Sequence, residues 1–158
     1  MRINKNQLIY VVDDDVPLNN LLCAFLKKQG FNNVKDFYTG EELLKEMTAH
    51  SNPIIIQDFD LPDMTGIDIL KKVKNENLTA EFIFLSGQST IEIAVEAIKF
   101  GAFDYIIKDN FAKENVLNKI NNVLKIKSLL KTRRILINGL IGFGIILIVS
   151  LLFIFKFI

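Results

Sequence analysis

Two short stretches of this chain bring carboxylates together. "VVDDD" carries Asp13, Asp14 and Asp15, and "QDFD" carries Asp58 and Asp60. A hydroxyl, Ser86, ends "FIFLS", and an ammonium, Lys108, ends "DYIIK". Each group follows an apolar run, where close-spaced charge persists only if something compensates it. Crowded carboxylates repel one another unless a hard cation neutralises them. Mg²⁺ suits that task, because it takes oxygen ligands in an octahedron and keeps some of its waters. A hydroxyl and an ammonium beside such a centre suit a phosphoryl group, whose oxygens need donors and positive charge. The chemistry implied is Mg²⁺-assisted phosphoryl transfer onto or off a carboxylate. Each residue also has a plainer reading: Asp15, before Val16-Pro17, caps a helix; Ser86-Gly87 makes a turn; Lys108 lies on the surface. Four apolar runs each ending in a suitable group outweigh those separate readings.

For these groups to meet, the runs that carry them must be neighbouring strands. Residues 8–12, 34–37, 53–57, 82–86 and 104–108 are predicted strands, and the third and fourth are apolar throughout, as in central parallel strands covered on both faces. Between them lie helical patterns. The first has apolar residues at positions 18, 21, 22, 25 and 26 and ends at Gly30. "GEELLKEMTAH", "GIDILKKVKNE" and "TIEIAVEAIKFG" follow, the last closed by Gly101, and a fifth begins near Phe111 with no evident stop. This alternation predicts a parallel sheet with helices on both faces, whose ligands sit beyond the carboxyl ends of the strands. His50 falls at the end of the second helical pattern, away from those ends. Cys23, the single cysteine, sits among apolar neighbours and is expected to be a core thiol.

The apolar content is uneven. Residues 135–155 contain no charge, and Asn138 and Ser150 are their polar side chains. At about 1.5 Å per residue such a helix spans roughly 31 Å, close to a bilayer's hydrocarbon core. A transmembrane helix is therefore expected. Seven cations precede it, from Lys113 to Arg134, against one acid, Glu114; only Lys156 follows. The positive-inside rule then places the head on the cytoplasmic side of the cell membrane as a single-pass protein. The amino terminus, "MRINKNQ", has no signal-peptide pattern. Residues 1–112 carry 11 Lys+Arg and 17 Asp+Glu, and residues 113–158 carry 8 and 1, so an acidic head stands on a basic stem. The basic cluster abuts the membrane, where anionic headgroups are nearer than nucleic acid. The expected organisation is a head at 1–126, a juxtamembrane stem at 127–134 and the span at 135–155.

"YVVDDD", "IIIQDFDLPDMTG", "FIFLSG" and "GAFDYIIKD", in this order and spacing, resemble the receiver domain of two-component response regulators over about residues 6 to 126. The resemblance implies a flavodoxin-like (βα)5 doubly wound sheet of order 2-1-3-4-5. It implies that Asp58 takes a phosphoryl group from a sensor histidine kinase or phosphotransfer protein. Asp14 looks like a direct Mg²⁺ ligand, Asp13 like one acting through water, and Asp60 like one acting through its main-chain carbonyl. Ser86 and Lys108 match the hydroxyl and cation that bind the phosphoryl group, and Tyr105 the aromatic switch. Asp60 and Gln88 match positions that tune phosphoryl lifetime. The family's proline after the lysine, joined by a cis bond, is here Asp109. Either the bond is trans and Lys108 is displaced, or a costly non-proline cis bond is retained.

The resulting expectation is a membrane-tethered, stand-alone receiver that takes up phosphate with Mg²⁺, is no turnover enzyme, and signals or relays by protein contacts. An alternative is an unphosphorylated docking module, a homodimer built on the fifth helix and the span. Val116, Ile120, Val123 and Leu130 give it a rough stripe, although Lys127 interrupts it and Gly139, Gly142 and Gly144 lack GxxxG spacing. A haloacid-dehalogenase-type phosphatase also uses Asp-x-Asp after a strand, but the motif order here is the reverse of that type.

Overall fold

The structure, a computed structural model, describes residues 4–47, 52–76, 78–87 and 90–156, with side chains to residue 146. Its contacts divide the chain into two units, Met1–Val123 and Leu124–Ile158.

In the first unit, β1 (Ile9–Val12), β2 (Val34–Phe37), β3 (Ile54–Gln57), β4 (Glu81–Ser86) and β5 (Asp104–Ile107) alternate with α1 (Val16–Lys28), α2 (Gly40–Glu46), α3 (Gly66–Asn75) and α4 (Ile91–Lys99). All pairings are parallel, in the order β2-β1-β3-β4-β5. This is the expected flavodoxin-like sheet, with β1 and β3 at its centre. Every residue of β1 and β3 is buried, which is why β1 and the first three residues of β3 read as apolar runs, while Gln57 is buried as a polar residue. Strand side chains alternate between faces. On one face Tyr10, Val12, Ile55, Phe82 and Phe84 join Leu43 of α2 and Ile67, Leu70 and Val73 of α3 in a buried cluster. Leu22 and Leu26 of α1 are also buried, as are Val116, Ile120 and Val123 of the final helix.

Helix ends follow local chemistry. Asp15 caps α1, its side chain accepting from Leu18 N at 3.0 Å. Thr39 and Thr65 cap α2 and α3 in the same way. Gly30 and Gly101 follow the ends of α1 and α4 with φ of 90° and 94°, where a side chain would be strained. The expected second helix is shorter than its pattern: α2 stops at Glu46, Met47 is extended, and His50 lies outside the described residues.

The expected face of α1 needs correction. Leu21 is 51% exposed, whereas Asn19 and Cys23 are buried beside Leu22 and Leu26. The amide of Asn19 finds two main-chain acceptors there, so a polar residue occupies what pattern alone assigns to apolar ones.

The final helix, α5, runs Ala112–Lys156. Val116, Ile120 and Val123 repeat every third or fourth residue and are buried in the first unit, while Leu130 is 57% exposed. Three of the four residues offered for a dimer stripe are therefore spent in the head's own core. Among the described residues no helix is long and apolar enough to cross a membrane. The side chains of 147–155, in the carboxyl-terminal part of the expected span, lie outside those described.

Candidate functional site

Each strand end places its group through backbone register. Asp13 follows β1 and Asp58 follows β3; their amides donate to Phe37 O at 3.2 Å and Val12 O at 2.8 Å. Parallel neighbours thus bring two carboxylates side by side at the carboxyl ends of two inner strands. Carboxylate oxygens of Asp13, Asp14 and Asp58 all lie within 4.8 Å of one another. Asp13 and Asp58 are buried and Asp14 is exposed, so the cluster opens to solvent on one side. An all-oxygen donor set of this kind fits a hard divalent cation such as Mg²⁺.

Lys108 completes the group. Its Nζ lies 2.8 Å from Asp13 Oδ2 and 2.7 Å from Asp58 Oδ2. Its amide donates to Ser86 O at 2.8 Å, which joins the ends of β4 and β5. The described chain has no cis peptide bond, so Lys108–Asp109 is trans. The expectation that a trans bond would displace the lysine is incorrect. Asp109 instead accepts from Phe111 N at 2.8 Å and, through its carbonyl, from Ala112 N at 3.1 Å, turning the chain directly into α5. The reach of Lys108 is set by its bond to β4, not by the peptide that follows it.

Charge in the cluster is unevenly matched, with two buried carboxylates sharing one ammonium. Burial pushes the carboxyl of Asp58 above its ordinary range, Asp13 adds to the rise, and the bonds from Lys108 and Phe59 N oppose it. Burial alone would lower the pKa of Lys108, but its bonds to Asp13 and Asp58 outweigh that and raise it. The two oxygens of Asp58 are held differently: Oδ2 by Lys108 at 2.7 Å, Oδ1 by the amide of Phe59 at 2.7 Å.

The remaining expected residues are placed as follows. Ser86 is buried at the end of β4. Asp60 is exposed in the β3–α3 loop and pairs through its backbone with Thr65, so its side chain stands outside the carboxylate cluster. Tyr105 stacks on Phe84 with ring centroids 6.2 Å apart and helps line a cleft of about 480 Å³ between α4 and β5. Gln88 lies outside the described residues.

Sequence reasoning missed several supports. Asn19 Nδ2 donates to Asp13 O at 3.0 Å and Phe37 O at 2.9 Å, tying β1 to β2 directly behind the site. Gln57, fully buried, donates to Asp58 O at 2.9 Å. Gly66 is required by close approach, since a Cβ there would stand 2.6 Å from Asp58 O and 2.6 Å from Phe84 Cε1. For the first, the available signal was that Asn19, unlike its neighbour Asn20, shares a helical face with Leu22, Cys23 and Leu26; the other two leave no local trace.

Comparison with known proteins agrees with this geometry. Residues 9–121 match the family model for the response regulator receiver domain. The chain is 31% identical over 116 residues to the chemotaxis protein CheY of Bacillus subtilis, covering 73% of this chain and 96% of that one. It is 32% identical over 123 residues to the response regulator protein TmoT of Ectopseudomonas mendocina, covering 78% of this chain but only 55% of that protein. The chain thus spans about half the length of that relative. Among solved structures, the BeF3-activated receiver domain of DrrB, from Thermotoga maritima, superposes with a TM-score of 0.65 at 31% identity, over 75% of this chain and 97% of that one.

Proposed function

The chain belongs to the response regulator receiver domain family, and from that premise we propose that Asp58 accepts a phosphoryl group from a histidine kinase or phosphotransfer protein. The observation that carries this reading is the convergence of Asp13, Asp14, Asp58 and Lys108 at the carboxyl ends of the strands. In the transfer, an Asp58 carboxylate oxygen forms a bond to phosphorus, the phosphorus–nitrogen bond of the donor breaks, and the leaving imidazole takes up a proton. Asp13, Asp14 and Asp58 would hold Mg²⁺, with Asp60 contributing its main chain; the ion supplies positive charge against the transferring oxygens. Lys108, already 2.7 Å from Asp58, is positioned to follow the phosphoryl oxygens once the acceptor is modified. Ser86 offers its hydroxyl from the neighbouring strand end. Tyr105, stacked beside the α4–β5 cleft, is the candidate to report the change to protein partners. The protein acts on itself once per phosphodonor and does not turn substrate over.

The test is Mg²⁺-dependent uptake of label from a phosphorylated kinase or from acetyl phosphate, compared with Asp58→Asn. Loss of uptake in the variant is expected; retained labelling would move the acceptor elsewhere.

The same reading includes attachment to a membrane. Its support is the uncharged run at 135–155 together with the exposure of Ile135, Leu136, Leu140, Ile141, Phe143, Ile145 and Ile146, which lie on all sides of α5. A helix apolar all round needs an apolar surrounding. The seven cations before it set the head on the cytoplasmic side. Tethering would confine the receiver near membrane kinases and raise its effective concentration there. Release of the full chain from membranes by alkaline carbonate would refute the attachment.

A further inference from the structure

The loop from Asp58 to Thr65 carries the acceptor at one end and Asp60 two residues on. It is closed on itself by Gly66 N, which donates to Phe59 O at 2.7 Å, and by the Asp60–Thr65 bridge. Its apex is tied elsewhere. Asp63 Oδ1 accepts from Gly40 N at 3.0 Å and Oδ2 from Glu41 N at 2.9 Å, so both carboxylate oxygens hold the first turn of α2. An apolar contact reinforces the link: a Cβ on Gly40 would lie 2.7 Å from Met64 Cγ, so Met64 packs directly on the bare backbone there.

We propose that Asp63 is a positioning residue for the cation site, fixing the loop on which Asp58 and Asp60 stand by clamping its apex to α2. The proposal rests on the reading of Asp13, Asp14 and Asp58 as the Mg²⁺ site. Two oxygens on two successive amides define both the position and the orientation of the loop, which one bond would not. A charged acceptor also matches the positive end of the helix. The competing explanation is that Asp63 merely stabilises α2, a seven-residue helix that is marginal alone. The structure contains a control for it. Thr39 caps the same helix, its Oγ1 accepting from Glu42 N at 3.2 Å, without contacting the loop through that bond.

Mg²⁺ affinity of the full chain in detergent, measured by calorimetry, separates the two, with Tm recorded for every variant. Asp63→Asn, which keeps the shape but cannot accept with both atoms, is expected to weaken Mg²⁺ binding about five- to tenfold. The ratio should persist in 1 M KCl, where a bare through-space charge effect is screened within about 3 Å. Thr39→Ala should lower Tm comparably and leave Mg²⁺ affinity within about twofold. Three results would each overturn the proposal: unchanged affinity in Asp63→Asn, an equal loss in Thr39→Ala, or disappearance of the difference at high salt. Absence of Mg²⁺ binding by the wild-type chain would overturn the reading of the site itself, and this inference with it.

Discussion

Substituting Gly66 by alanine sets two effects against each other. Gly66 opens α3 at ordinary helical angles, so alanine should gain up to about 1 kcal/mol from helix propensity. Its Cβ, however, would meet Asp58 O and Phe84 Cε1 at 2.6 Å and Gln57 Cγ at 2.9 Å. Two of those contacts are side chains that can yield a little; Asp58 O is main chain and moves only with the acceptor. Overpacking of this kind costs about 1–3 kcal/mol, and the backbone contact argues for the upper half. The net loss is then about 1–2 kcal/mol, or roughly 4–8 °C in Tm for a head of this size. Because relief displaces Asp58, Mg²⁺-dependent beryllofluoride uptake, read by ¹⁹F NMR, should weaken at least about tenfold. Gly87→Ala is the comparison: a Cβ there meets nothing within 4 Å, so Tm should change little. A Gly66→Ala protein matching wild type in both Tm and uptake would refute the reasoning.

Three further outcomes follow from the same geometry. Asn19→Leu takes the side-chain donor from Asp13 O and leaves Phe37 O with the Asp13 amide alone, and losing the buried bond at Asp13 O should cost about 1–3 kcal/mol in urea unfolding. Burial pushes the thiol of Cys23 up to about 11, Asp36 adding and Lys27 opposing, so it should resist Ellman's reagent at pH 8 until the protein is unfolded. Lys108→Met leaves two buried carboxylates facing each other without a cation, at a cost of about 2–3 kcal/mol after allowance for partial exposure. Added Mg²⁺ should therefore raise the Tm of that variant more than that of wild type; equal increments would show that the lysine does not neutralise the pair.

Much of the site was legible because it stands at strand ends. Runs buried on both faces announce their limits by a change from isoleucine or valine to polar residues, Val12 to Asp13 in β1 and Ile56 through Gln57 to Asp58 in β3, and both strands begin and end within a residue of expectation. Parallel order then brings Asp13 beside Asp58 with no further information. The unreadable parts depend on partners distant in the chain. Asp63 meets Gly40 across 23 residues, and its role is invisible in a stretch that resembles any polar turn. One of the two acceptors that satisfy the buried amide of Asn19, Phe37 O, lies 18 residues on. Lys108 stands at the site as its place at a strand end implies, but its anchor, Ser86 on the adjacent strand, leaves no trace near residue 108, so the consequence of a trans bond to Asp109 was not legible.

The bridging lysine has a consequence for which ions the site can tell apart. Asp13, Asp14 and Asp58 contribute three negative charges and Lys108 one positive, leaving two to be cancelled. A divalent ion would close that gap and a monovalent ion would leave half of it open, so charge balance alone would favour the divalent ion over potassium. Radius and coordination number remain for the surrounding oxygens to judge, and Lys108 is what keeps the count at two.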